Sequence, residues 1–335
     1  MEDPNRLLAP NIGLRKSEGD IHSFLLCEKG QITSRLVAQA MGVRRRDELE
    51  KEVLRDVSRS FYLTLRALPK EMRPAVSVAY LLARASDTIA DCEAPRSERE
   101  ELLCEFQRQL TGGAGGAFLR SAIELAEGNG LKDGERVLMR RLGEVFAWLS
   151  RLQRWEQDAV QKVVSTITEG QQWDLQYFSE DRVVTVESED ELLRYCYLVA
   201  GCVGEFWTEI GFGSNARFAN RPVEEMTRLG QNYGCGLQLV NILRDVTEDR
   251  QRGRNYLPGP REEWFSKAEA FLQDGLTYSR AVRSPRARLA TVLPVLLGLE
   301  TLALLRTATE DELAVGVKVS RRAVRRCSVK ALFFR

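Results

Sequence analysis

Histidine is nearly absent from this chain: of its 335 residues only His22 is a histidine. A histidine-based nucleophile triad would hang on that one polar N-terminal position, and an HExxH zinc helix does not exist. The seven cysteines include no CxxC pair and are odd in number. Scattered through apolar segments, as Cys196 and Cys202 are, they read as reduced thiols packed in the core of a cytoplasmic protein. An excess of charge of either sign is missing too. The net charge is +1, which gives no global footprint for nucleic acid or an anionic membrane, so any anion must be held by local clusters. Residues 1–20 carry charges without the apolar centre of a secretory signal. The longest apolar run, Leu289 to Leu299, holds Pro294 and ends at Glu300, which reads as too short for a membrane span.

Strand signals are sparse as well. Long stretches repeat apolar residues at i, i+3 and i+4, so the expected fold class is all-α. The glycines at 112, 113, 115 and 116 lack GxGxxG spacing and a preceding strand. They read as a connection between helices, not a dinucleotide fingerprint. Arg252 to Pro260 reads as a loop, with its two glycines and two prolines. The expected organisation is a variable N-terminal segment, 1–45, followed by one helical catalytic domain, 46–335.

What the chain does have is two polar stripes on apolar helices. From Pro74 to Asp91 the residues are mostly alanine, valine, leucine and isoleucine, interrupted by Tyr80, Arg84, Asp87 and Asp91. Spacings of four, three and four put these on one helical face. Gln238, Asn241, Asp245 and Asp249 repeat the pattern, with Arg244 beside Asp245 and Arg252 and Arg254 just beyond. Four carboxylates facing one cavity would repel one another, and divalent cations relieve that repulsion. Mg²⁺ favours one or two carboxylates completed by water and substrate phosphates. Arg59, Arg84, Arg244 and Arg254 suit the same phosphates through forked hydrogen bonds. A third segment, Tyr195 to Trp207, carries Ala200, Gly201 and Gly204, small enough for close approach of a neighbouring helix or ligand. Tyr195 and Val199 share one of its faces.

Four stretches together resemble the squalene/phytoene synthase family: Ser58-Arg59-Ser60-Phe61-Tyr62; Tyr80-Leu-Leu-Ala-Arg84-Ala-Ser-Asp87-Thr-Ile-Ala-Asp91; Tyr195 to Gly204; and Gln238 through Asn241, Arg244, Asp245, Asp249 and Arg254 to Pro258. They bracket about two hundred residues in the family's order. Phe61 to Pro69, Leu293 to Leu305 and Val317 to Arg321 look like the squalene synthase branch. One position departs: Ala90 stands where squalene synthases often carry glutamate.

The resemblance implies the isoprenoid synthase fold, a helical bundle around a central cavity. It implies two prenyl diphosphates as substrates, most simply farnesyl diphosphate, joined head to head through a cyclopropyl diphosphate and reduced with NADPH to squalene. A phytoene or dehydrosqualene synthase would omit the reduction. Asp87, Asp91, Asp245 and Asp249 would bind Mg²⁺. Ser58, Arg59, Phe61, Tyr80, Arg84, Gln238, Asn241, Arg244 and Arg254 would bind substrate. Tyr195 would handle the proton lost on ring closure. Arg84, Arg244, Lys318 and Arg321 would contact the cofactors, although Lys318-x-x-Arg321 differs from the Lys-x-Arg spacing associated with NADPH. The expected setting is cytoplasmic, without nucleic acid, with peripheral membrane contact through Arg321 to Arg335.

Overall fold

The computed structural model describes Leu49, Val53, Leu54, Val57 and residues 61–334 except 114, 129 and 180, all within one compact unit, Leu49–Arg335. The expected 1–45 segment, with Ser58 and Arg59, lies outside the described residues.

The described chain is helical almost throughout: α1 (Phe61–Ala67), α2 (Arg73–Asp91), α3 (Arg96–Gly112), α4 (Gly116–Gly128), α5 (Asp133–Arg140), α6 (Leu142–Leu149), α7 (Arg154–Tyr177), α8 (Glu189–Cys196), a π-helical turn (Tyr197–Gly201), α9 (Cys202–Ser214), α10 (Val223–Gln251), α11 (Arg261–Ala281), α12 (Pro285–Leu305), α13 (Glu310–Val315) and α14 (Arg321–Leu332). The glycine cluster does join two helices, α3 and α4. Helix starts follow local chemistry. Pro74 sits in the first turn of α2, where a missing N–H costs nothing. Ser188, Ser284 and Ser320 cap α8, α12 and α14 by accepting backbone N–H bonds. The six described cysteines are free, and all but Cys104 are buried.

Two apolar clusters form the core. One gathers the inner faces of α2, α3 and α7; the other gathers α8, α10, α11 and α12. Between them, α7 and α10 are bridged by the π-turn and α9. The close approach expected of Gly201 and Gly204 is to a helix. A Cβ on Gly204 would run into the Gly230 carbonyl, and one on Gly234 into the Ala200 carbonyl. Only glycine lets these two backbones meet.

Two readings need correction. Arg252 to Pro260 is not wholly a loop. Arg254–Asn255 forms a short strand, β2, parallel to β1 (Val184–Thr185), with Val184 N–H donating to Gly253 O at 2.9 Å and Val186 N–H to Asn255 O at 2.9 Å. Gly253 enters it at φ +80°, where a Cβ would lie 2.8 Å from Ser179 O, so the turn requires glycine. The second correction concerns the late apolar run. Pro294 and Glu300 do not end it: α12 continues through both for 21 residues, long and apolar enough by length and composition to cross a membrane. Pro294 removes one i→i−4 bond, but packing against α10, α11 and α14 keeps the helix going. Beside the proline, the Thr291 carbonyl accepts the buried Tyr233 hydroxyl at 2.9 Å.

Candidate active site

The C-terminal half of α2 and that of α10 contribute to the same cavity, of about 450 Å³. Tyr80, Arg84, Asp87 and Asp91 line it from α2, joined by Ala83 and Ala90. Gln238 and Asp249 line it from α10, Arg252 and Arg254 from the segment that follows, Tyr195 from α8, Val199 from the π-turn and Val203 from α9. The helical stripes read from spacing therefore meet.

Arg84 and Arg244, with Asp87 and Asp245, already have partners. Arg84 donates to Asp87 and to Glu135 on α5. The other Glu135 oxygen accepts the Lys132 N–H at 3.2 Å at the start of α5, so the same carboxylate closes a helix end and holds Arg84. Arg244 forks onto its neighbour Asp245, Nε to Oδ1 at 2.7 Å and Nη2 to Oδ2 at 2.6 Å. The Tyr80 hydroxyl donates to Val57 O at 3.2 Å.

Burial pushes Asp87 up to about 6, with the charge of Asp91 adding to the effect and Arg84 opposing it. Burial likewise pushes Asp249 up to about 7, helped by Asp245 and opposed by Arg254. This is the electrostatic signature of carboxylates short of positive charge, the condition a bound cation relieves. Among the described residues no three acidic, cysteine or histidine side chains form a ready-made cage. Asp87, Asp91 and Asp249 line the cavity with the carboxylate oxygens a hard cation takes, and Asp245 lies beside them.

Not every expected residue reaches the cavity. Asn241 is exposed and donates to Gln238 at 3.4 Å. Asp245 and Arg244 lie beside the lining rather than in it. Phe61 belongs to α1, and its side chain is outside the described set. Lys318, in the link before α14, and Arg321, its first residue, are exposed and line neither cavity. Conversely, Glu135, Asp174 and Tyr256 were missed as site residues. Asp174 sits in α7 among buried Ile167, Gln171 and Leu175. A carboxylate on such an apolar face was the available signal, the same one that exposed Asp87.

Tyr195 is buried. Its ring stacks on Tyr256, with centroids 5.0 Å apart and planes 16° from parallel, and Trp173 lies 5.2 Å away on the same ring cluster. Burial raises its pKa well above that of a free phenol, so it is neutral at physiological pH. Val199 and Val203 also line a second cavity, of about 200 Å³. Its other walls include Trp207, Tyr233, Leu237, Tyr278 and Pro294, and it is almost wholly apolar. A charged chamber thus adjoins a greasy one through two shared valines.

The model of the squalene/phytoene synthase family matches residues 54–266. The chain belongs to that family. It is 31% identical over 267 residues to squalene synthase ERG9 of Candida albicans, covering 75% of this chain and 56% of that protein. It is 26% identical over 280 residues to squalene synthase 1 of Arabidopsis thaliana, covering 75% and 63%. An inactive squalene synthase 2 of Arabidopsis thaliana is 28% identical over 214 residues, covering 63% of this chain and 47% of the relative. The chain spans about half the length of the curated relatives it matches. Among solved structures, the complex of TcSQS with the ligand E5700 superposes with TM-score 0.67 at 24% identity, over 84% of each chain. A dehydrosqualene synthase superposes at 0.59 and 20% identity, over 87% of this chain and 96% of the other. Squalene synthase HpnC of Alicyclobacillus acidocaldarius gives 0.53 and 20% identity, over 77% and 92%. These likenesses establish the isoprenoid synthase fold.

Proposed function

We propose that this family member joins two farnesyl diphosphates head to head through a cyclopropyl diphosphate, in the manner of a squalene synthase. The observation that carries the reading is the junction of the two cavities: carboxylates and guanidinium groups line one, apolar side chains the other, and Val199 and Val203 belong to both. A prenyl diphosphate has the same division between anionic head and hydrocarbon tail.

A divalent cation held by Asp87, Asp91, Asp245 and Asp249 would supply charge neutralisation to the departing diphosphate. Arg84, Arg244 and Arg254 bind its oxygens and stabilise the negative charge that builds as the allylic C–O bond ionises. Gln238 adds a neutral hydrogen-bonding group at the same wall. The apolar chamber holds the tails and keeps water from the carbocation, while the face of Tyr80 favours positive charge. Tyr195, on the wall of the charged cavity, is the group nearest in kind to a proton acceptor, and released diphosphate can share that task.

The last step divides the readings. Reduction to squalene draws a hydride from NADPH, whereas proton loss gives a dehydrosqualene or phytoene type of product. Lys318 and Arg321 are exposed and line neither cavity, which is the observation favouring the non-reductive alternative. Product analysis by mass decides. Farnesyl and geranylgeranyl diphosphate are offered separately with Mg²⁺, with and without NADPH. Squalene only when NADPH is present supports the reductive reading, identical products in both conditions support the alternative, and no turnover of either substrate rejects both. The protein is proposed to work in the cytoplasm with peripheral membrane contact, in the service of isoprenoid synthesis.

A further inference from the structure

Asp174 belongs to neither aspartate stripe, yet its side chain, 9% exposed, is set more deeply than that of Asp87 at 40%. Two charged or polar partners reach it from one short segment. Arg254 Nη1 lies 2.7 Å from its Oδ2, and the Tyr256 hydroxyl donates to its Oδ1. The Tyr195 hydroxyl in turn donates to the Tyr256 oxygen at 3.5 Å. An ionised carboxylate only accepts, so the donors run in one direction: Tyr195 to Tyr256 to Asp174.

That direction has a chemical consequence. A phenol whose hydrogen is committed to a neighbour keeps its oxygen lone pairs for the other side, and for Tyr195 the other side is the cavity. A hydroxyl without such an acceptor rotates to suit whatever is nearest. Beside a diphosphate it would turn its hydrogen onto a phosphate oxygen. Bonded to Tyr256 instead, it can take a proton on its oxygen from the cavity side while its own hydrogen passes to Tyr256 and the Tyr256 hydrogen to Asp174, so the proton ends on the carboxylate. The same carboxylate fixes the guanidinium of Arg254 at the cavity wall. The segment is also held from outside, by the β1–β2 pairing and by the positive-φ turn at Gly253. Asp174 is its anchor from inside.

We propose that Asp174 is a positioning residue that orients Tyr195 as a proton acceptor, through Tyr256, and Arg254 as a diphosphate ligand. The proposal rests on the prenyl-diphosphate reading above. It also predicts that the two effects separate. Tyr256→Phe removes one oxygen and leaves the Arg254–Asp174 pair. Asp174→Asn keeps the size and an acceptor for Tyr256 but loses the charge that holds Arg254.

The test is steady-state kinetics on the full chain, with calorimetric binding of inorganic pyrophosphate in Mg²⁺ and a thermal melt of each variant. Y256F should lower kcat about tenfold or more, with KM and pyrophosphate affinity within about twofold. D174N should lower kcat similarly and also weaken pyrophosphate about tenfold, the loss of one charge-assisted contact. Y177F should change neither, because the Tyr177 hydroxyl belongs to the same aromatic cluster but bonds Glu191, outside the cavity. Unchanged kcat in Y256F overturns the tyrosine half. Activity lost in D174N only in proportion to its unfolded fraction overturns the whole. If the wild-type protein turns over neither prenyl diphosphate, the functional reading falls by itself. The binding arm then decides, and equal pyrophosphate affinity in wild type and D174N overturns the inference.

Discussion

Asp87 and Asp249 carry their charge at a cost, because each is held in a partly desolvated wall beside a second carboxylate. A carboxylate whose folded pKa lies above its unfolded value binds protons preferentially in the folded state. Metal-free stability should therefore fall as pH rises from about 4, the unfolded value, through about 6 for Asp87 and about 7 for Asp249, and level off above. Mg²⁺ competes with those protons, so its stabilising effect should run the other way: small at pH 5.5 and large at pH 8. Melting curves with and without Mg²⁺ at the two pH values check this, and an equal Mg²⁺ increment at both would remove the aspartates from the metal site. Asp87→Asn or Asp249→Asn should abolish most turnover, by about a hundredfold or more, while the metal-free melting temperature stays level or rises. Arg244→Lys keeps the charge but not the two-bond fork now resting on Asp245, and should cost about tenfold in kcat/KM. Kinetics indistinguishable from wild type would make Arg244 only the structural partner of Asp245.

At the scale of elements, the site depends on α9 and α10 meeting without side chains between them. Gly204→Ala would force its Cβ into the Gly230 carbonyl and part the two helices. The expected cost is about 1–3 kcal/mol, seen as a fall of several degrees in melting temperature, with activity lost as the Val199–Val203 junction shifts. Gly112→Ala, at the end of α3 with open space around it, should be neutral and serves as the control. If both variants melt like wild type, the backbone contact does not matter. Spacing made the helices and the two stripes legible, because period 3.6 puts Asp87 four residues from Asp91 and Asp245 four from Asp249 on one face each. It could not show that Asn241 and Asp245 lie beside the cavity rather than in it, since that depends on the rotation of α10 in the bundle. Nor could spacing find Asp174, whose partners arrive from a segment eighty residues away. Pro294 misled the reading for a related reason: a proline breaks an isolated helix, whereas α12 is held along its length by four neighbours, α1, α10, α11 and α14.

For the whole molecule, a net charge of +1 hides an uneven surface. Six of the large apolar side chains exposed among the described residues fall in the final stretch: Leu304, Val315, Val324, Val329, Leu332 and Phe333, the last 79% exposed. Arg321, Arg322, Arg325 and Lys330 stand exposed on α14 among them. Arg326, by contrast, is engaged with Glu300 at 2.7 Å. The inner side of α14 is tied down, with Cys327 and Ala331 buried. An anchored helix whose outer surface mixes cations with apolar groups has the chemistry of an interfacial segment: charge draws it to anionic lipid, and the apolar side chains enter the headgroup boundary. Such a contact would also suit the proposed conversion of prenyl diphosphates into a hydrocarbon. Leu332→Ser with Phe333→Ser removes apolar surface that is already exposed, so folding should be preserved to within about 0.5 kcal/mol. In flotation with phosphatidylserine-containing liposomes, the wild-type chain should rise with the lipid, less so at 0.5 M salt, and the double variant should stay largely at the bottom. Liposomes of phosphatidylcholine alone should carry neither. Equal flotation of wild type and variant would reject the role of the C-terminal helix, and flotation unaffected by salt or lipid charge would reject its arginines as the attracting groups.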